Sequence, residues 1–404
     1  MSHRLIMLIV SLWASAAAAE VPEAPVPPTP PGPPQTPEPV VEPQPPSAVV
    51  TDPPVATDPP VDPRYLDETL IKQDQPPPST KKSKRRKGLM PQISGYMQVF
   101  YKKRFDTDDT NGVEPSLFRV QRLRLRVSGK IIPKVRYQIE IDPRAPEVTG
   151  FLRDAFVEFR HIPFHKLRVG QQKTPWGYEN TESSSHLYTI TRTELAESPG
   201  RGLTLRDIGI AIKGRIPLAA NWDLEDHVAL VNGAGMNVQA DDTAMKNLWG
   251  RVGARFRLPD RDLVVRAGAS FGVGSYREPD DPGPPPVPGF IVSFRRFGAD
   301  VQVDTRWAFV VAEVAQATDE SSLTPDEPDE SLAWYVLVAG KTPWNVGPVV
   351  RYDTYDLDEF KRWTFGAYWG ALDARLRAMA TYEVFEDDAG KHDHRLLLWT
   401  QVQL

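Results

Sequence analysis

The sequence lacks cysteine and long apolar runs, and each absence excludes a class of protein. Its 404 residues contain no cysteine, which removes disulfides, thiolate metal sites and cysteine nucleophiles. Beyond the N-terminus, no stretch approaches the ~18 continuous apolar residues that a membrane-spanning helix needs, so a helical membrane protein is excluded. The net charge of −5 gives no support to nucleic-acid binding, which requires a basic domain.

The first 90 residues divide into three segments by composition. Residues 1–19 have a charged start, an apolar run and a small-residue end, which predicts a cleaved secretory signal peptide. Residues 20–80 hold 21 of the chain's 41 prolines and predict a disordered spacer, because proline fixes φ and cannot donate to a ladder. Residues 81–90 begin KKSKRRK, which is either a solvated charge run or a contact with anionic envelope polymer or lipid headgroups.

From residue 91 onward the chain alternates apolar and polar residues at the period of a β-strand. Residues 122–127 read RLRLRV, so arginine and aliphatic side chains lie on opposite faces of one strand. Four consecutive strands between residues 118 and 173 carry charges on one face. This pattern fits either a soluble sandwich, with the charges outside, or an outer-membrane barrel, with the charges facing a water-filled lumen.

The lengths of the connections favour the barrel. Short turns such as IIPK and PDRD alternate with long loops such as KRFDTDDTNGVEP, as expected when a barrel has short periplasmic turns and longer external loops. Residues 91–404 therefore predict an all-β, transmembrane antiparallel β-barrel of about sixteen strands. The last strand, RLLLWTQVQL, is expected to pair with the first, because an open edge cannot exist in lipid. Six tryptophans near predicted strand ends suggest interfacial girdles, with an ordinary core position as the alternative for each: Trp222, Trp249, Trp307, Trp334, Trp363 and Trp399.

Several segments resemble the phosphate-selective porin O and P family of Gram-negative outer membranes. They include GYMQVFYKKRFD, FRVQRLRLRVSGKI, LRDAFVEFR and KLRVGQQKTPWGYEN. The resemblance implies a trimeric porin of sixteen strands, with the long loop after the fifth strand folded inward and basic side chains on the lumen wall guiding anions. The chain departs from this pattern by carrying several acids on the same face, and by ending in Leu404 where bacterial barrels commonly end in an aromatic residue.

Basic residues on the predicted lumen face form a candidate anion pathway. They are Arg122, Arg124, Arg126, Arg136, Arg160, Arg168 and Lys173. Arginines spaced every second residue offer an anion successive bidentate partners. The alternative is that they pair with acids on neighbouring strands and serve as wall scaffolding; those acids are Glu140, Asp142, Asp154 and Glu158.

Loops as long as the one at residues 174–202 are generally functional or disordered, and if this loop enters the lumen, as the resemblance implies, Arg192 and Arg201 contribute to a constriction. Its sequence SSSH does not predict a hydrolase, because no partner acid or oxyanion arrangement can be identified. The sequence HDH at residues 392–394 is interpreted as solvated loop rather than a metal site, for want of a third ligand. No enzyme activity and no cofactor are predicted.

Together these features predict an outer-membrane diffusion channel for small inorganic anions, with phosphate or polyphosphate-like solutes as candidates. The expected partners are outer-membrane lipid and lipopolysaccharide, two further copies of the chain in a homotrimer, and peptidoglycan through a periplasmic N-terminal arm. The alternative function is a structural anchor, in which the proline-rich and basic arm tethers the envelope and conduction is incidental.

Overall fold

The computed structural model describes residues 90–105, 116–144, 148–197, 206–238, 243, 245–278, 289–356, 360–387 and 392–404. The predicted signal peptide, the proline-rich segment and most of the basic segment therefore lie outside the described residues, as does Arg201. Among the described residues, no helix combines the length and the hydropathy required to cross a membrane.

Sixteen antiparallel strands form one closed barrel, in which each strand pairs with its neighbours in sequence and β16 pairs with β1. The predicted strand number and closure are confirmed. In chain order the strands are β1 Gln92–Arg104, β2 Ser116–Ile132, β3 Val135–Ile141, β4 Leu152–Phe159, β5 His165–Lys173, β6 Arg206–Ala219, β7 Trp222–Val231, β8 Asn247–Leu258, β9 Leu263–Arg277, β10 Ile291–Asp304, β11 Ala308–Ser321, β12 Asp329–Gly340, β13 Val346–Tyr355, β14 Phe360–Trp369, β15 Leu376–Asp387 and β16 His392–Gln403.

The two ends of the barrel differ in the length of their connections. At the short-turn end the hairpins need few residues, as at 133–134 between β2 and β3 and 220–221 between β6 and β7. At the long-loop end the connection between β5 and β6 spans residues 174–205. The loops after β13 and β15 are shorter than the sequence indicated, since the strands continue through charged residues such as Lys361 and Glu386, which pair across β14 and β15.

The outer surface carries the apolar side of the alternation. Ile210 and Leu230 are 51% and 49% exposed, and Phe297 is 50% exposed, whereas Arg296 beside it is fully buried inside. Aliphatic side chains on every second residue thus form the band that would face lipid, while the polar side chains point into the lumen.

The tryptophans divide between the outer surface and the lumen. Trp222, Trp307 and Trp363 are exposed on the outside, as girdle residues would be. The prediction was wrong for Trp249 and Trp399, which are buried inside the barrel. Their positions in the alternation are inward: Trp399 lies directly opposite Phe100, and both side chains belong to the buried cluster that fills part of the lumen.

Candidate functional site

The long loop folds into the lumen, where it packs as a small core of its own. Among the described residues, three short α-helices lie in the long-loop connections, α1 at Val148–Phe151, α2 at Tyr178–Thr181 and α3 at Glu194–Glu197, and the last two belong to this loop. Its residues Trp176, Tyr188, Ile190 and Leu195 are buried in one hydrophobic cluster with side chains from the wall. Burying each of these side chains contributes about 1.5–3 kcal/mol, which offsets the entropy lost on ordering the loop.

A single carboxylate on β11 holds the start of this loop. Glu313 accepts hydrogen bonds from the backbone N–H groups of Tyr178 (3.0 Å) and Glu179 (3.2 Å), and from the Tyr335 hydroxyl (3.1 Å). Gly177 precedes α2 with φ 57°, and a β-carbon there would collide with the Glu313 carboxylate. Both the left-handed backbone and the close approach therefore require glycine at this position.

Buried arginines on β13 to β15 hold the middle of the loop by its carbonyl groups. Arg377 donates to the carbonyl oxygens of Ser185 (2.5 Å) and Leu187 (3.0 Å), and Arg351 donates to that of Thr191 (2.7 Å). The Thr191 hydroxyl in turn donates to Glu383 Oε1 at 2.7 Å. The loop is thus bound to one side of the lumen, against the wall that β8 to β16 form.

The open side lies between the loop and the wall of β2 to β7. A cavity of about 210 Å³ occupies this gap, which we call the eyelet. Nine basic side chains and two carboxylates line the eyelet, and His227 lines it as well. The basic residues are Arg122, Arg124, Arg126, Arg153, Arg168, Lys173, Arg192, Arg206 and Lys213; the acids are Glu140 and Asp154.

The acids of this wall pair with its arginines and, in most pairs, lie deeper than they do. Arg124 and Asp142 approach to 2.9 Å, and their side chains are 7% and 2% exposed. Arg126 and Glu140 approach to 2.7 Å, and their side chains are 25% and 5% exposed. Arg206 and Asp154 at 2.6 Å are the exception, since that carboxylate is slightly the more exposed. Scaffolding and pathway are therefore compatible roles, because a guanidinium that covers its carboxylate still faces the lumen.

The structure brings most of the predicted site residues together. Arg122, Arg124, Arg126, Arg168, Lys173 and Arg192 all line the eyelet. Arg136 and Arg160 lie instead in a separate cavity of about 90 Å³ that also touches Arg168. Arg192 is a loop-positioning residue: it is 3% exposed and donates to the carbonyl oxygens of Glu179 and Glu182, the latter at 2.8 Å.

Sequence reasoning missed three of the nine basic residues of the eyelet, its histidine and all of the loop anchors. Arg206, Lys213 and His227 occupy inward positions of β6 and β7, and the alternation in those strands was a usable signal for them. The anchors Glu313 and Arg377 carried no such signal, because lumen-facing charges are common and only the position of the loop distinguishes these two.

The HDH sequence lies in a strand rather than in a loop. His392 and His394 begin strand β16, and Asp393 forms an ion pair with Arg104 at 2.6 Å. Within the described part of the chain, no group of three or more metal-ligating side chains is close enough to hold an ion.

The closed barrel, the apolar outer band and the inward loop beside a charged gap define a β-barrel channel of the outer-membrane type. The model of the family "Phosphate-selective porin O and P" matches residues 92–252, which confirms the resemblance over that part of the chain. No curated protein matches the sequence significantly.

Solved structures share the fold at low identity. An anion-selective porin from Comamonas acidovorans has a TM-score of 0.55 and 13% identity, with 78% of this chain and 99% of that chain covered. OmpT of Vibrio cholerae in its trimer form has a TM-score of 0.53 and 12% identity, with 78% of this chain and 100% of that chain covered. The channel DcaP of Acinetobacter baumannii has a TM-score of 0.51 and 13% identity, with 80% of this chain and 99% of that chain covered. The family match and the shared fold support an outer-membrane channel.

Proposed function

We propose that this protein is a passive outer-membrane channel for small anions, and that phosphate-like oxyanions fit it best. The observation that carries the proposal is the lining of the eyelet, nine basic side chains against two carboxylates. A narrow gap lined by one sign of charge focuses its potential and concentrates the opposite ion. Several partners in succession let an anion enter without holding it too firmly to leave.

The chemistry of the lining favours oxyanions over halides. Most of the basic side chains in the eyelet are arginines, whose planar guanidinium presents paired N–H donors that match two oxygens of a phosphate or carboxylate. A halide ion is a single acceptor atom, so it cannot accept both N–H groups in the way that two oxygens of an oxyanion can. Phosphate and polyphosphate-like solutes are therefore the candidate substrates.

The assembly and orientation of the protein are part of the proposal. A homotrimer is supported by the similarity to OmpT, which was solved in trimer form. Outer-membrane lipid and lipopolysaccharide would surround the apolar band. Because an even-stranded barrel has both ends of its chain on the short-turn side, the proline-rich arm would be periplasmic, where its basic segment could reach peptidoglycan.

Reversal potentials across planar bilayers test the function. In a potassium chloride gradient, and then in a potassium phosphate gradient, we expect anions to be more permeant than potassium. Higher permeability to potassium would contradict the proposal. A barrel that conducts nothing, together with detachment of the envelope on deletion of residues 21–87, would instead favour the anchor.

A further inference from the structure

A second cavity lies on the short-turn side of the loop. It has a volume of about 350 Å³, and we call it the vestibule. Thr181, Lys213 and His227 line both the vestibule and the eyelet, so the two spaces adjoin each other. The volume falls in the range of about 300–1,000 Å³ that is typical of small-molecule sites, well beyond what a single inorganic anion needs.

One side of the vestibule is aromatic. The loop supplies Tyr178 and Tyr188, β11 supplies Phe309, and the turn after β14 supplies Leu372. The rings of Tyr188 and Phe309 stack with centroids 5.3 Å apart, and those of Tyr178 and Phe309 lie 6.2 Å apart. Such a surface offers nothing to a hydrated inorganic ion, but a ring or compact apolar group would gain contact area on it.

The other side is charged. Lys213, Arg215, Arg251 and Arg266 line it together with five carboxylates, so its net charge does not concentrate small anions as the eyelet does. Arg251 is committed to Asp300 at 2.6 Å, and Arg215 donates to Glu225. A solute that binds here would therefore need apolar contacts in addition to a charged group.

Arg266 is the cation best placed to meet such a solute. It lies directly opposite Arg255 across β8 and β9, and because like charges directly opposite each other are unfavourable in a sheet, a further anion beside them would be favoured. Its charge also reaches the aromatic side: burial raises the pKa of the Tyr178 hydroxyl, and the neighbouring Arg266 opposes that rise. Arg266 and the ring surface line the same cavity.

We propose that the vestibule binds organic anions with a ring or compact apolar body, placing the ring against Tyr188 and Phe309 and the carboxylate or phosphate near Arg266. This inference rests on the proposed channel function, since such a solute would arrive through the eyelet. It extends the substrate class from inorganic oxyanions to aromatic carboxylates and phosphate esters.

Benzoate and acetate provide a matched pair of probes, because they share the carboxylate and differ in the ring. In single-channel recordings of the full chain, benzoate should reduce chloride current at a concentration at least tenfold below that of acetate, as expected for about 1.4 kcal/mol of added ring contact. Phe309→Leu and Arg266→Gln should each weaken the benzoate block about threefold to tenfold. Phe105→Leu and Arg104→Gln, at the long-loop end, are the matched controls and should not change it.

Binding measured without current separates this inference from the proposed function. Saturation-transfer NMR of benzoate with the detergent-folded barrel should show ring-proton signals that Phe309→Leu and Arg266→Gln reduce and the two control variants preserve. Equal effects of benzoate and acetate in a barrel that conducts chloride would overturn the inference and leave the channel function intact. If the barrel bound benzoate but conducted no chloride, the channel function would be overturned and the binding site would remain.

Discussion

At the scale of single residues, three arginines on β2, Arg122, Arg124 and Arg126, each have a partner and still line the eyelet. Arg122 donates to Gln98 at 3.1 Å, and Arg124 and Arg126 cover the more deeply buried Asp142 and Glu140. Removing one member of a buried pair leaves the other charge uncompensated, at a cost of about 3–5 kcal/mol. Substitutions here therefore act on selectivity and stability to different extents, depending on the partner.

Replacing Arg122, Arg124 and Arg126 by glutamine should weaken the preference for anions. The triple variant Arg122→Gln, Arg124→Gln and Arg126→Gln removes three of the nine cations of the eyelet and uncovers two carboxylates. We expect the anion-to-cation permeability ratio, measured from reversal potentials, to fall by roughly threefold or more.

Arg122→Gln alone should lower the anion-to-cation permeability ratio less than the triple variant does. It should leave the free energy of unfolding unchanged, because the ion pairs of Arg124 with Asp142 and of Arg126 with Glu140 remain. Arg104→Gln, which breaks an ion pair at the rim, is the control and should leave the ratio unchanged. A triple variant with the ratio of the parent protein would restrict these arginines to scaffolding.

His186 should make the packing of the loop sensitive to pH. Burial lowers the pKa of His186 below its usual value near 6.5; Glu182 opposes this shift and Arg377 adds to it. The folded loop thus favours the neutral ring. Its stability is greatest above pH 6.5 and declines as the pH falls through the lowered pKa, by at most about 1.4 kcal/mol per pH unit.

Hydrogen exchange of the backbone amides at residues 184–190 would measure this effect. Between pH 7.5 and 5, protection in the parent protein should decrease once the intrinsic exchange rates are corrected for pH. His186→Gln, which does not titrate, should show a flatter profile. Identical profiles would remove His186 as the source of the dependence.

At the scale of elements, the loop after β5 is a packed unit rather than a mobile flap. It combines buried aromatic side chains, a carboxylate that binds its first turn and arginines that bind its carbonyl groups. Because these contacts come from the wall of β8 to β16, the loop covers that side of the lumen and leaves the eyelet open along β2 to β7. The width and the charge of the eyelet follow from this one placement.

Replacing residues 183–198 by a short glycine-serine linker should widen the path. Conductance should rise about twofold, and anion preference should weaken because the gap would approach or exceed the Debye length of about 8–10 Å. The loss of preference should be smaller than in the arginine triple variant, since Arg351 and Arg377 would lose their carbonyl partners and face the lumen.

The exposed loop at residues 322–328 is a suitable control for this deletion, because it connects β11 and β12 at the surface. A linker there should leave both conductance and preference unchanged. If instead the 183–198 replacement conducts like the parent protein, the constriction would have to belong to the barrel wall.

At the scale of the whole molecule, the barrel is closed and polarised. β1 and β16 pair over nine residues, so no strand edge remains open. The long loops are at one end and the short hairpins at the other, which gives the molecule a direction. Both ends of the barrel sequence, near Gln92 and Gln403, lie at the short-turn end.

The absence of cysteine allows a direct test of this direction. Single substitutions Thr324→Cys, in the exposed loop after β11, and Ser83→Cys, in the N-terminal arm, would each carry the only thiol. A polymer-linked maleimide too large for the eyelet should label Thr324→Cys on intact cells, and Ser83→Cys only after the outer membrane is permeabilised. The opposite pattern of labelling would invert the proposed topology.

The sequence by itself determined the strands, their number and the two faces of the wall. Alternation such as RLRLRV is a local property, because the side chains of a strand point to opposite sides whatever the partner strand is. Even the closure could be predicted, since a final strand of apolar alternation needs a partner in lipid. The predicted boundaries were less accurate where charged residues continued a strand, as around Lys361 and Glu386.

Only the tertiary structure decided where the loop lies and therefore which charges line the eyelet. Arg377 binds the carbonyl of Ser185 across 192 positions of sequence, and Glu313 binds the N–H of Tyr178 across 135. Neither local pattern nor composition encodes such a pairing, because any lumen-facing arginine or glutamate is equivalent until the loop occupies one side. For the same reason Trp249 and Trp399, predicted as girdle residues, lie inside: their burial depends on inward register and on packing within the lumen rather than on their distance from a strand end.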